Sequence, residues 1–166
     1  AAAELPAFVR AAQAAGGPTV VEVVDFECPH CRRMQARLAA AIARTPRPVR
    51  VVRKMWPLAM HQHAREAAVA YCCAEAQGKG EAMAEALFAA APDELTADGC
   101  ARIAARIGCD PARYQADRAA AEARVAADTA EVRAAGVRAL PTVFIGDTRL
   151  VGAGASEDDL VALLAR

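Results

Sequence analysis

The run Thr19-Val20-Val21-Glu22-Val23-Val24-Asp25-Phe26, leading through Glu27 into Cys28-Pro29-His30-Cys31, constrains this chain more than any other stretch. It is β-branched and apolar nearly throughout, which fits a central strand buried on both faces and not an alternating edge strand. After the first cysteine, Met34, Leu38 and Ile42 recur at i, i+4 and i+8 while Arg32, Arg33 and Arg37 fall elsewhere, so the spacing predicts a helix over 29–43. Pro29 opens it, at a position where a missing N–H costs nothing. Pro46 and Pro48 punctuate the chain, and 49–55 reads as a second strand. A strand–helix–strand order this short makes a right-handed βαβ unit with a parallel sheet the default. The cysteine pair then lies at the carboxyl end of the first strand, the edge where open α/β sheets place their sites.

On either side the pattern is equally readable. Leu5, Phe8, Val9 and Ala12 share one face of a short helix over 5–15, stopped by Gly16-Gly17. From 61 to 135 helical spacing dominates. Helices are expected at 62–77, 80–90, 97–107 and 112–134, with Gly108 as a left-handed stop and Asp110-Pro111 as cap and first position. Strand character returns at 141–145, turns at Gly146-Asp147 into 149–151, and Ser156 caps a last helix through Leu160, Leu163 and Leu164. The expected fold is therefore α/β, with segments 1–60 and 136–166 forming one domain and 61–135 an inserted all-helical subdomain.

Twenty basic residues offset twenty acidic ones in this 166-residue chain, so no summed field gathers nucleic acid or anionic lipid. The 55% hydrophobic content fills a core, and no apolar run approaches the roughly 18 to 20 residues that would span a bilayer. The chain as given is expected to be soluble and monomeric, with any secretion signal or membrane anchor outside it. Six cysteines make neither a dense disulfide scaffold nor ordinary cytosolic usage, and the compartment must follow from the chemistry.

That chemistry is thiol chemistry. A sulfur attacks only as thiolate, so Cys28 needs a pKa below the usual value of roughly 8.5. A helix N-terminus contributes about 0.3 to 1 kcal/mol toward an anion, or roughly 2 when partly buried, which is too little alone. His30 can donate an N–H to the Cys28 sulfur, stabilise the reduced form, and so make the disulfide a strong oxidant. Cys31, one turn in, is the expected buried resolving thiol. Glu22 is anomalous inside an apolar strand: it either accepts a proton from Cys31 through water or is ion-paired with Lys54 on the neighbouring strand. A zinc site is the competing reading of the cysteine pair, with His61 and His63 as further ligands, but that spacing matches no zinc finger. No metal and no small-molecule cofactor is expected beyond the Cys28–Cys31 disulfide.

Taken together, Cys28-Pro29-His30-Cys31 after an apolar strand, Glu22 within that strand, Trp56-Pro57-Leu58 with His61, Glu75-Ala76-Gln77-Gly78-Lys79 with Leu87-Phe88 in the helical insertion, and Leu140-Pro141-Thr142-Val143-Phe144 near the end resemble the DsbA-like thiol:disulfide oxidoreductases. The resemblance runs from about residue 18 to 166 and implies a thioredoxin fold. It implies that Leu140–Pro141 is a cis peptide bond facing the two cysteines, leaving the polar groups of Leu140 for a substrate strand. It also implies oxidation of unfolded or reduced secreted proteins, a bacterial periplasmic or other extracytoplasmic setting, and a membrane quinone-linked partner that restores the disulfide. Reductase or isomerase work on the same fold, or a redox-inactive peptide- or zinc-binding module, are the alternatives. Ala139-Leu140 before the proline departs from the small residue and Thr or Val of many relatives. Cys72, Cys73, Cys100 and Cys109 are a second departure: they either pair in part as a second disulfide or serve as small buried apolar residues.

Overall fold

The computed structural model describes residues 4–166; residues 1–3, where the first expected segment begins, lie outside the described residues. The chain divides into two compact units, Ala1–Val24 with Pro29–Lys54 and Glu131–Arg166 in one, and Asp25–Cys28 with Met55–Ala130 in the other.

The first unit contains helix α1 (Ala7–Gln13), strand β1 (Thr19–Val24), helix α2 (Pro29–Ala43), strand β2 (Arg50–Met55, through Lys54 in this unit), strands β3 (Thr142–Ile145) and β4 (Thr148–Val151), and a C-terminal helix over Glu157–Leu164. The sheet order is β2-β1-β3-β4, with β3 antiparallel to both β1 and β4. Every residue of β1 and β3 is buried, as a central strand pair requires. Register sorts the side chains onto two faces: Val20 opposes Ile145 and Glu22 opposes Val143, while Val21 opposes Phe144. The first face forms a core with Met34, Leu38 and Ala41 of α2 and Leu160 and Leu164 of the C-terminal helix. On the second, Phe8 of α1 meets the Phe144 ring edge-on at 6.2 Å. Ser156 caps the C-terminal helix as its sequence indicates, accepting from the Asp159 N–H at 3.1 Å while the Asp159 carboxylate accepts from the Ser156 N–H at 2.9 Å.

The second unit is helical, with α3 (Ala64–Glu75), α4 (Gly80–Ala89), α5 (Ala97–Arg106), α6 (Pro111–Ala116) and most of α7 (Arg118–Ala134), plus a short 3-10 turn at Pro92–Glu94. Helix α3 is its axis, buried on nearly every side through Tyr71, Cys72 and Cys73. Phe26 packs on Tyr71 at 5.5 Å and on Phe88 at 4.8 Å between ring centroids. The single helix expected over 112–134 is two. Asp117 closes α6, and Ala121 donates its N–H to the Asp117 carbonyl to begin a new ladder. Neither Gly nor Pro marks this break, so periodicity alone runs through it. Arg118 and Arg124 of α7 then pair with Glu66 and Glu75 of α3 at 3.0 and 2.8 Å.

Candidate active site

Four residues between β1 and α2 form a tightly held turn. The Cys28 N–H donates to the Asp25 carbonyl at 3.0 Å. The Asp25 side chain is buried, and its carboxylate accepts from the N–H of Glu27 at 2.8 Å and from the N–H of Leu58 at 2.8 Å. Oδ2 also meets Nδ1 of His61 at 2.7 Å. Glu27 in turn accepts from the His63 N–H at 2.8 Å, so the turn and the segment before α3 are joined at several points. Burial works against a charged His61 ring, but its bond to Asp25, with the titratable groups of Asp25, Glu27 and Cys28 nearby, more than reverses this and raises the His61 pKa above its ordinary value.

Cys28 follows directly and retains 6% exposure, whereas Cys31, one turn into α2, retains 1%. Cys28 thus stands just before the first residue of α2, where unsatisfied N–H groups and the helix dipole favour a thiolate. Pro29 and His30 are exposed on the first turn. The Arg33 guanidinium donates to Nδ1 of His30.

Glu22 is ion-paired within the sheet. Arg53 holds it, with Nε 2.9 Å from Oε2 and both side chains at most 2% exposed, and Gln35 of α2 accepts a further bond from Arg53 at 3.1 Å. The reason is strand parity: neighbours on β2 face opposite ways. Arg53 shares the α2 face with Glu22, whereas Lys54 lies 5.5 Å from the Phe8 ring centre on the α1 face and pairs with Glu131 at 2.9 Å. Arg53 was therefore missed for want of register.

The Leu140–Pro141 peptide bond is cis. The Pro141 carbonyl accepts from the Gly152 N–H at 2.8 Å and Ala139 accepts from the Thr142 hydroxyl at 2.7 Å, while among the described residues neither polar main-chain group of Leu140 meets an internal partner.

In the helical unit Cys72, Cys73, Cys100 and Cys109 are buried thiols. Burial pushes Cys72 and Cys100 up to about 12 and Cys73 up to about 11, and raises Cys109. Cys72 feels Arg124 and Asp128, whereas Cys73 feels Arg118, Asp117 and Cys109, consistent with the roughly 100° between successive residues of a helix. Among the described residues no group of three or more His, Cys, Asp or Glu side chains is placed to hold a metal ion. The Asp25–His61 pair was not anticipated beyond a histidine near the site; its one signal was an acid three residues before the first cysteine.

A two-cysteine turn opening a helix beside a four-stranded sheet, with a cis-proline before a later strand, defines a thioredoxin-type fold. The chain matches the thioredoxin family over residues 12–165 and belongs to it. Its fold is that of the DsbA-like oxidoreductases. A thioredoxin-like oxidoreductase from Silicibacter pomeroyi DSS-3 is 31% identical, with 90% of this chain and 86% of that one covered and a TM-score of 0.74. The oxidoreductase DsbA from Xylella fastidiosa is 25% identical over 91% and 84% of the two chains, with a TM-score of 0.64. The thiol-disulfide exchange protein alpha-DsbA2 from Wolbachia pipientis, at 19% identity and 89% and 80% coverage, shares the fold with a TM-score of 0.75. Among curated proteins, the Na(+)/H(+) antiporter NhaA 3 of Salinispora tropica is 34% identical over 79% of this chain, and NhaA 1 of Mycolicibacterium vanbaalenii 32% over 80%. The chain spans only 20% and 22% of the length of these two relatives.

Proposed function

We propose that this chain is a thiol–disulfide oxidoreductase unit that works as an oxidase, passing the Cys28–Cys31 disulfide to reduced or unfolded protein substrates. A substrate thiolate attacks Sγ of Cys28, the Cys28–Cys31 bond breaks, and Cys31 leaves with the electron pair. A second substrate thiolate then attacks the substrate sulfur of the mixed disulfide and releases Cys28 as thiolate, so that the substrate loses two electrons and the pair gains them. The observation that carries this reading is the Cys28-Pro29-His30-Cys31 turn at the start of α2, where Cys28 keeps 6% exposure and Cys31 1%. Leu140, its polar main-chain groups without partners among the described residues, supports a role in pairing with an extended substrate segment, and Met60, at 81% exposure, offers a flexible apolar contact.

Such a unit belongs in an extracytoplasmic compartment, where a membrane quinone-linked oxidant would re-form the disulfide. Glu22, buried in β1 and paired with Arg53, would serve Cys31 as proton acceptor. The test is refolding of a reduced, multi-disulfide protein with catalytic amounts of this chain. Acceleration that disappears in Cys28→Ser supports the reading. Faster rearrangement of a scrambled substrate, with no gain on a reduced one, would assign isomerase work instead. Stoichiometric zinc with no thiol oxidation would assign a binding module.

A further inference from the structure

The catalytic turn is wired to a second imidazole. We propose that Asp25 and His61 form a charge-holding pair that acts on Cys28, with His61 as a positioning residue that keeps the proton displaced from the Cys28 sulfur and so stabilises the thiolate.

The geometry is specific. Asp25 is buried, its carboxylate fixed by two main-chain N–H donors, and its Oδ2 lies 2.7 Å from His61 Nδ1. The Asp25 carbonyl accepts the Cys28 N–H, so the acid that orients the ring also closes the turn carrying the sulfur. His61 Nδ1 therefore donates to a carboxylate, as in other sites where an acid fixes an imidazole's tautomer and stabilises its charged form. The titratable groups acting on the ring are Asp25, Glu27 and Cys28, all able to be negative and all favouring the imidazolium. His30 is differently placed, exposed and bonded to Arg33.

This rests on Cys28 being the attacked sulfur, and it adds a proton to the redox step. Two substrate thiols supply two electrons and two protons as they become a disulfide. The pair emerges as a Cys31 thiol and a Cys28 thiolate; one proton is on Cys31 and the other on His61. By reciprocity, whatever factor His61 lends to thiolate formation the thiolate returns to His61 protonation.

Two titrations test this in the full chain. The His61 ring protons are followed by NMR against pH in the oxidised and reduced protein, assigned by their loss in His61→Asn, and the Cys28 thiolate is followed by its ultraviolet absorbance in wild type and His61→Asn. We expect His61 protonation to be about tenfold more favourable in the reduced protein, and His61→Asn to weaken thiolate formation by the same factor. In Cys28→Ser, which cannot form the disulfide or a thiolate at that position, His61 should titrate as it does in the oxidised wild type. Identical His61 titrations in both redox states, or a Cys28 titration untouched by His61→Asn, would overturn the proposal while leaving the oxidoreductase reading intact. If wild type shows no low-pH thiolate titration at all, Cys28 as the attacked sulfur falls, and the proposal with it. The NMR comparison needs no variant to fold beyond its assignment.

Discussion

Arg53 and Glu22 show how one side chain's direction decides its role. The anomaly of a carboxylate in an apolar strand was legible from Glu22 alone, but its partner depended on the parity of β2, which no residue of 49–55 reveals. A one-residue change of parity exchanges Lys54 for Arg53. Removing the partner should be costly because a buried carboxylate is left uncompensated: Arg53→Met is expected to lose about 3 to 5 kcal/mol of unfolding free energy, read from urea denaturation. A loss near zero would show that Glu22 needs no partner. At the same scale, the raised His61 pKa has a pH signature. Below the unfolded-state value of about 6.5 the ring is charged in both states and the ionic part of the Asp25–His61 interaction is fully present; it is lost as pH rises through the raised folded-state pKa. The stability difference between wild type and His61→Asn should accordingly be larger at pH 5 than at pH 9. A difference that grows with pH would contradict the assignment.

Elements were more legible than residues where apolar spacing met a strong punctuation mark. Helix α2 coincides with the stretch read from Pro29 and the Met34, Leu38 and Ile42 spacing, and the Asp110 cap holds, accepting from the Arg113 N–H at 2.8 Å. The junction at Asp117 was not legible because no residue there forbids a helix. Gly99 is another hidden determinant: within α5 it reads as a weak helix residue, yet a Cβ built there would lie 1.8 Å from the Glu94 carbonyl oxygen. Gly99→Ala should force the 3-10 turn and α5 apart and destabilise the protein by about 1 to 3 kcal/mol, against the gain expected at an unhindered helix position. A rise in melting temperature would show that the close approach is not needed.

At the scale of the whole molecule, strand and helix periods indicated an α/β framework interrupted by helices, and the resemblance carried by Cys28-Pro29-His30-Cys31 and Leu140-Pro141 implied a thioredoxin fold. The two compact units differ in their bounds from the expected split at residues 61 and 135: Asp25–Cys28 groups with the helical unit, which no composition shift announces. The reason is visible in Phe26, packed on Tyr71 and Phe88, and in Asp25, bonded to Leu58 and His61. All six thiols are buried, and in the four of the helical unit that burial raises the thiol pKa. With Cys72, Cys73 and Cys100 pushed to about 11 or 12 and Cys109 raised, brief alkylation of the reduced native protein near pH 8 should label Cys28 first and leave these four until denaturant is added. Rapid native labelling at any of them would contradict this. A native mass two hydrogens short after reduction of Cys28–Cys31 alone would instead reveal a disulfide among the four.

The direction of electron flow is set by the free-energy difference between the dithiol and disulfide forms of Cys28–Cys31, and its equilibrium with glutathione measures that difference directly. A thiolate stabilised by the helix start, His30 and the Asp25–His61 pair should place the reduction potential toward the strong oxidants, nearer about −120 mV than the roughly −270 mV of reducing thioredoxins. A value at the reducing end would contradict the oxidase assignment.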